Sequence, residues 1–91
     1  MATVKIPPVL RASTNGEKEI TVTGANIGDI LRGVITAHPD TERQLFSPDG
    51  DLNRYVNVYL NDEDVRVLDG LETAVADGDS VMILPAMAGG R

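Results

Sequence analysis

Near the start of the chain Val4 and Ile6 alternate with Thr3 and Lys5, the period-two pattern of a strand with one buried face. Pro7-Pro8 would remove two ladder donors, so the chain there must lie at an edge or leave the sheet. Asn15-Gly16 is a turn signal, because both residues tolerate positive φ. Beyond it Ile20 and Val22 alternate with Glu19, Thr21 and Thr23. The two alternating runs around an Asn-Gly turn predict an N-terminal β-hairpin.

The period then changes. Ile27, Ile30, Leu31, Val34 and Ile35 form an apolar stripe at helical spacing. Asn26 is placed to cap the helix, and Asp29 suits the positive first turn. His38 before Pro39 ends it, since a residue preceding proline is pushed out of the helical region. His38 therefore reads as a C-terminal cap position, with no catalytic or ligand role.

Residues 40–54 are polar and turn-rich, with a short helical turn expected around Glu42–Phe46 and a loop after it. Tyr55 to Leu60 is the clearest strand, with Val56, Val58 and Leu60 on one face and Tyr55, Asn57 and Tyr59 on the other. Asn61 to Asp64 predicts a turn, Val65-Arg66-Val67 a short edge strand, and Leu71 to Ala76 one helical turn closed by Asp77-Gly78-Asp79. Ser80 to Leu84 is nearly all apolar, which suits a central strand covered by the helix; Pro85 ends it. The order is β-β-α-β-β, with a small turn before the last strand. That is an α+β architecture of β-grasp (ubiquitin-like) type: a mixed sheet of four to five strands with one main helix across it. Residues 1–85 form the domain and 86–91 a flexible C-terminal tail.

Composition narrows the chemistry. The chain has 91 residues, enough for one domain and a modest core. It has no cysteine, so disulfides, thiolate nucleophiles and Cys-ligated metals are excluded. One histidine rules out His-pair metal sites and makes a Ser-His-Asp apparatus improbable. A calcium loop resembling Asp49-Gly50-Asp51-Leu52-Asn53 fails at its sixth position, Arg54, and its twelfth, Leu60. No metal site and no bound cofactor are expected. A pI near 4.5 argues against nucleic acid. No apolar run approaches the ~20 residues of a membrane span, and no basic-then-apolar leader is visible. A cytoplasmic location follows as the expectation.

The formal charge of −6 is unevenly placed: residues 40–80 carry eleven acids and three bases, a net of −8. This predicts a body that docks on a basic partner surface, although the same acids also serve simple solubility. The outward face of the sheet offers a docking surface. Tyr59 there joins Met82 or Leu84, according to register, in an apolar patch flanked by acids. The alternative is that these residues fill a second small core under the 40–54 loop.

The end of the chain differs from the rest. The six residues from Pro85 to Gly90 extend roughly 20 Å at about 3.3 Å each. They are uncharged, and among Met87, Ala88, Gly89 and Gly90 only Met87 has a side chain of any length. Glycines without Cβ atoms fit a channel too narrow for other residues. Taken alone, such a terminus reads as simple disorder.

A β-grasp order ending in a strand and Gly-Gly resembles the ubiquitin-like sulfur carriers of the MoaD/ThiS family. The Asp77-Gly78-Asp79 turn before the last strand is common to that family. The runs 54–66 (Arg-Tyr-Val-Asn-Val-Tyr-Leu-Asn-Asp-Glu-Asp-Val-Arg) and 74–86 look more specifically like its actinobacterial, cysteine-forming branch, and the likeness extends over nearly the whole chain. The resemblance implies that the chain is no enzyme but a protein cosubstrate. Its Gly90 carboxylate would be adenylated by an ATP-using activating enzyme of MoeB/ThiF type, and a sulfur donor would displace AMP to leave a thiocarboxylate. In the cysteine-forming branch that sulfur attacks an intermediate on a pyridoxal-phosphate cysteine synthase. An S-to-N acyl shift follows, and a zinc metallopeptidase releases cysteine. The same chemistry could serve molybdopterin, thiamin or a specialised sulfur-containing metabolite, and a ubiquitin-like modifier or interaction module shares the fold and the tail. Family members usually end at Gly-Gly. Here Arg91 follows, and Gly90 in an amide bond cannot be adenylated, so either a peptidase removes Arg91 first or Arg91 is foreign to the natural chain.

Overall fold

The computed structural model describes residues 1–85; the tail positions 86–91 lie outside the described residues. The chain runs through β1 (Ala2–Lys5), β2 (Glu19–Val22), α1 (Ile27–Ala37), α2 (Glu42–Leu45), β3 (Val56–Leu60), β4 (Glu63–Asp64) and β5 (Ser80–Pro85), with 3-10 turns between them. The sheet order is β2-β1-β5-β3-β4. β1 and β5 are parallel, while β2 on β1, β3 on β5 and β4 on β3 are antiparallel. This is the mixed five-stranded β-grasp sheet, with α1 packed across one face.

The core is built from the two periodicities. Val4, Val58, Val81 and Ile83 point from the sheet, and Ile27, Ile30, Leu31 and Val34 point from α1; all are buried. The Asn26 side chain accepts from the Asp29 N–H at 2.8 Å, and His38 stands at the C-cap, its N–H donating to the Val34 carbonyl. Gly33 lets the helix approach β2, because a Cβ built there would meet Val22 Cγ1 at 2.3 Å. Residues 40–54 send Leu45, Phe46 and Leu52 to this same core.

Three local expectations change. β1 and β2 do pair, Ala2 with Val22 and Lys5 with Glu19. Their connection, however, contains a seven-residue 3-10 stretch, Pro8–Thr14, and Asn15-Gly16 closes that stretch with φ of 57° and 83°. The prolines explain it: they cannot donate to a ladder, and Pro8 presets the first helical φ. β1 itself is internal in the sheet, so the chain leaves the sheet at Pro7.

Val65–Val67 is a 3-10 turn and not an edge strand. Asn61 and Asp62 both take positive φ, as a tight primed hairpin turn requires, so Glu63 pairs with Leu60 at once. The Asp64 carboxylate then accepts the Arg66 N–H at 2.8 Å and turns the chain out of the sheet. The expected helical turn from Leu71 to Ala76 shrinks to Gly70–Glu72. Beyond it Ala74 bridges to Asn26, and the Thr73 carbonyl accepts from Ile27 N–H at 3.0 Å. The chain is extended there because it supplies an acceptor to a helix N–H that has none within the helix.

The Asp77-Gly78-Asp79 turn is tied down at the start of β5. The Asp79 carboxylate accepts from the Ala76 N–H at 2.8 Å and from Asn61 Nδ2 at 3.0 Å. The Asn61 side-chain oxygen in turn accepts from the Ser80 N–H. The Ala76 amide, with Asn61 adding to it, holds the Asp79 carboxyl below the usual carboxylate range. The Met1 ammonium contacts Asp77, lowering that carboxyl through a hydrogen bond and then through charge.

Candidate functional site

β5 lies between β1 and β3, and its last residue, Pro85, pairs with Val56. The tail therefore departs from the middle strand of the domain, at the end opposite the Asp77-Gly78-Asp79 turn. Met87, Ala88, Gly89, Gly90 and Arg91, the positions assigned to tail binding, sulfur carriage and processing, lie outside the described residues.

The register places Tyr59 directly across from Met82, and Leu84 across from Asn57. Since Val58, Val81 and Ile83 are buried under α1, alternation puts Tyr59, Met82 and Leu84 together on the opposite face. Tyr59 and Met82 are half-buried, and Leu84 is 38% exposed. Across the strands the patch is flanked by Lys5, paired with Met82, and Asp64, paired with Tyr59. Its flanks are thus mixed in sign rather than acidic throughout.

Sequence reasoning missed a cleft beside the tail root. It has a volume of about 340 Å³ and is lined chiefly by Val9, Leu10, Arg43, Tyr55, Val56 and Pro85. Val9 and Tyr55, 65% and 57% exposed, are its outer apolar groups. The available signal was the apolar pair Val9-Leu10 in the 8–19 connection, of which Leu10 is buried and Val9 is left exposed. A larger cleft, about 760 Å³, lies between α1 and the 42–50 segment, with Arg32 stacked 5.9 Å over the Phe46 ring. It is lined by neither β5 nor any residue of the Tyr59 patch.

Among the described residues no group of three or more His, Cys, Asp or Glu side chains is placed to hold a metal ion. No helix among them is long and apolar enough to cross a membrane. What the arrangement offers is two contact surfaces close to a strand terminus.

Fold, strand order and sequence converge on one family: the chain matches the ThiS family over residues 4–90 and belongs to it. The sulfur carrier protein CysO of Mycobacterium tuberculosis is 47% identical over 90 residues, covering 97% of both chains. A chain in the crystal structure of the Amycolatopsis orientalis BexX/CysO complex superposes with a TM-score of 0.90 at 46% identity, covering 99% of this chain and 100% of that one. Small archaeal modifier protein 3 of Haloferax volcanii is 39% identical over 66 residues, 72% of this chain and 71% of that protein.

Proposed function

We propose that the protein is a CysO-like sulfur carrier whose terminal carboxylate, on Gly90 after removal of Arg91, carries the sulfur atom. The observation that carries this reading is the family match running to Gly90, on a strand that delivers the chain from the centre of the sheet. The Gly90 carboxylate attacks the α-phosphate of ATP on an activating enzyme, and pyrophosphate leaves. A sulfur donor then attacks the acyl adenylate and expels AMP, leaving a thiocarboxylate. The donor supplies the sulfur and the chain supplies the carboxyl group that carries it; the groups that activate and accept it belong to partner proteins, the nucleotide included.

Sulfur delivery to a pyridoxal-phosphate cysteine synthase, followed by release through a zinc metallopeptidase, is the acceptor route we assign. The likeness to CysO across 97% of both chains supports it. The relative solved in a BexX/CysO complex supports function by docking on another protein. Tyr59, Met82 and Leu84 provide the patch that such a partner covers, and Met87, Ala88 and Gly89 thread its channel.

The test uses two forms of the chain with an activating enzyme, ATP and a sulfide source. The form ending at Gly90 gains the mass of one oxygen-to-sulfur exchange, while the form ending at Arg91 stays unmodified. Absence of both adenylate and thiocarboxylate on the Gly90-ended form defeats the reading. A second reading, conjugation of Gly90 to lysines, draws on the likeness to the Haloferax volcanii modifier; lysine-linked adducts on immunoblots of the host would favour it.

A further inference from the structure

The cleft at the tail root differs electrostatically from the rest of the molecule. Arg43 lines it, and among the described residues no carboxylate does. Arg54 stacks 5.6 Å over the ring of Tyr55, one of the cleft's outer walls. Arg66 reaches the same end from beyond β4, donating to the Asn53 carbonyl at 2.8 Å and to Asn57 Oδ1 at 3.0 Å. One guanidinium, Arg43, thus lines this apolar depression, and two more, Arg54 and Arg66, touch its lining residues Tyr55 and Asn53, in a protein of formal charge −6. Asp62, Asp77 and Asp79 gather at the opposite end of β5, where Asn61 and Asp79 are hydrogen-bonded.

Acidic composition alone predicts docking on a basic surface. The structure reverses that sign at the place where docking matters most. A partner whose channel takes in the tail as far as Pro85 brings its rim against the cleft, because Pro85 is part of the cleft wall. A basic channel rim would meet Arg43, Arg54 and Arg66 there and be repelled. An acidic rim would be attracted, and the guanidinium fork suits bidentate carboxylate contact. The apolar floor accepts one large side chain at the centre of such a rim, the usual anatomy of an anchored interface.

We propose that this cleft is a docking site for an acidic protein segment carrying an aromatic anchor, the rim of the channel that receives the tail. The anchor packs against Val9, Leu10, Tyr55 and Val56, and the segment's carboxylates pair with Arg43, Arg54 and Arg66. The separated charges orient the approach, tail end first. This proposal rests on the carrier reading for the identity of the partner, and the surface itself can be tested without it.

The probe is a synthetic peptide with one tryptophan between runs of glutamate, titrated into the full-length, isotopically labelled protein and followed by backbone amide shifts. Shifts confined to Val9, Leu10, Arg43 and 53–56, weakening as salt is added, are the expected result. The double variant Arg43→Glu with Arg54→Glu loses about tenfold or more in peptide affinity. Val9→Ser weakens binding while the Val4 and Val81 amides stay in place, which separates a docking defect from unfolding. No shifts, or shifts centred on Asp62 to Asp79, overturn the proposal. So does a single-stranded RNA oligomer that perturbs the same amides more strongly than the peptide. Adenylation of the Gly90-ended chain is measured separately. Peptide binding without adenylation counts against the carrier reading alone, and adenylation without peptide binding counts against this surface alone.

Discussion

Tyr59 faces Met82 across the antiparallel pairing of β3 with β5, on the side of the sheet away from α1. Two half-buried side chains, one aromatic and one adaptable thioether, are thereby fused into one surface with Leu84 two residues along the same strand. A cross-strand pair of this kind contributes about 0.2–1 kcal/mol to the sheet, too little to explain the patch by stability alone.

Tyr59→Ser should therefore weaken binding to an activating enzyme while lowering the melting temperature by only a few degrees, at roughly 4–8 °C per kcal/mol for a domain of this size. Titration calorimetry and a thermal melt on the same sample separate the two effects. A large fall in the melting temperature with binding intact would make Tyr59 a core residue.

Gly33 sits in the middle of α1, where alanine would normally favour the helix by about 1 kcal/mol. Here the added Cβ would meet Val22 Cγ1 at 2.3 Å. Gly33→Ala is accordingly expected to destabilise by about 1–3 kcal/mol, the usual cost of overpacking. Urea denaturation reads this directly, and a gain in stability would show that β2 yields freely.

The Asp79 carboxylate is held below the ordinary range by the Ala76 N–H and the Asn61 amide. Its stabilising effect is present above the unfolded aspartate value and is lost as pH falls through the lower folded value. Asp79→Asn should lower the urea midpoint at neutral pH, and the gap to the native protein should close below about pH 4. A gap independent of pH would show that the charge is not what the turn uses.

Asn26 is the side-chain cap of α1. Asn26→Ala should cost about 1 kcal/mol, and Asn26→Asp or Asn26→Ser considerably less. Equal losses in all three variants would place the effect elsewhere, since Asn26 also bridges to Ala74.

Much of this fold is written in the sequence at short range. The helix stripe from Ile27 to Ile35, its Asn26 cap and the alternation of Val56, Val58 and Leu60 each depend on neighbours within two turns or one strand. Val65–Val67 was unreadable for a different reason. Its β-branched residues favour a strand, and a single side chain, Asp64, overrides them by capping the Arg66 N–H. The Asn15-Gly16 turn was visible, while the 3-10 stretch before it depended on what Pro7-Pro8 would do on leaving the sheet. On the sheet face, alternation named Tyr59, and only the register brought Met82 and Leu84 to it together. The tail-root cleft had no linear signature. Val9, Arg43, Tyr55 and Pro85 are far apart in the chain, and the positive character of their meeting point is hidden by an acidic total.

The central claim concerns one atom on Gly90. Intact-mass and fragment-ion spectrometry of the protein isolated from its own host tests it most directly. The account predicts a population ending at Gly90, part of it bearing sulfur in place of one carboxylate oxygen. A population that always retains Arg91, or one whose Gly90 is found joined only to lysine side chains, would contradict it.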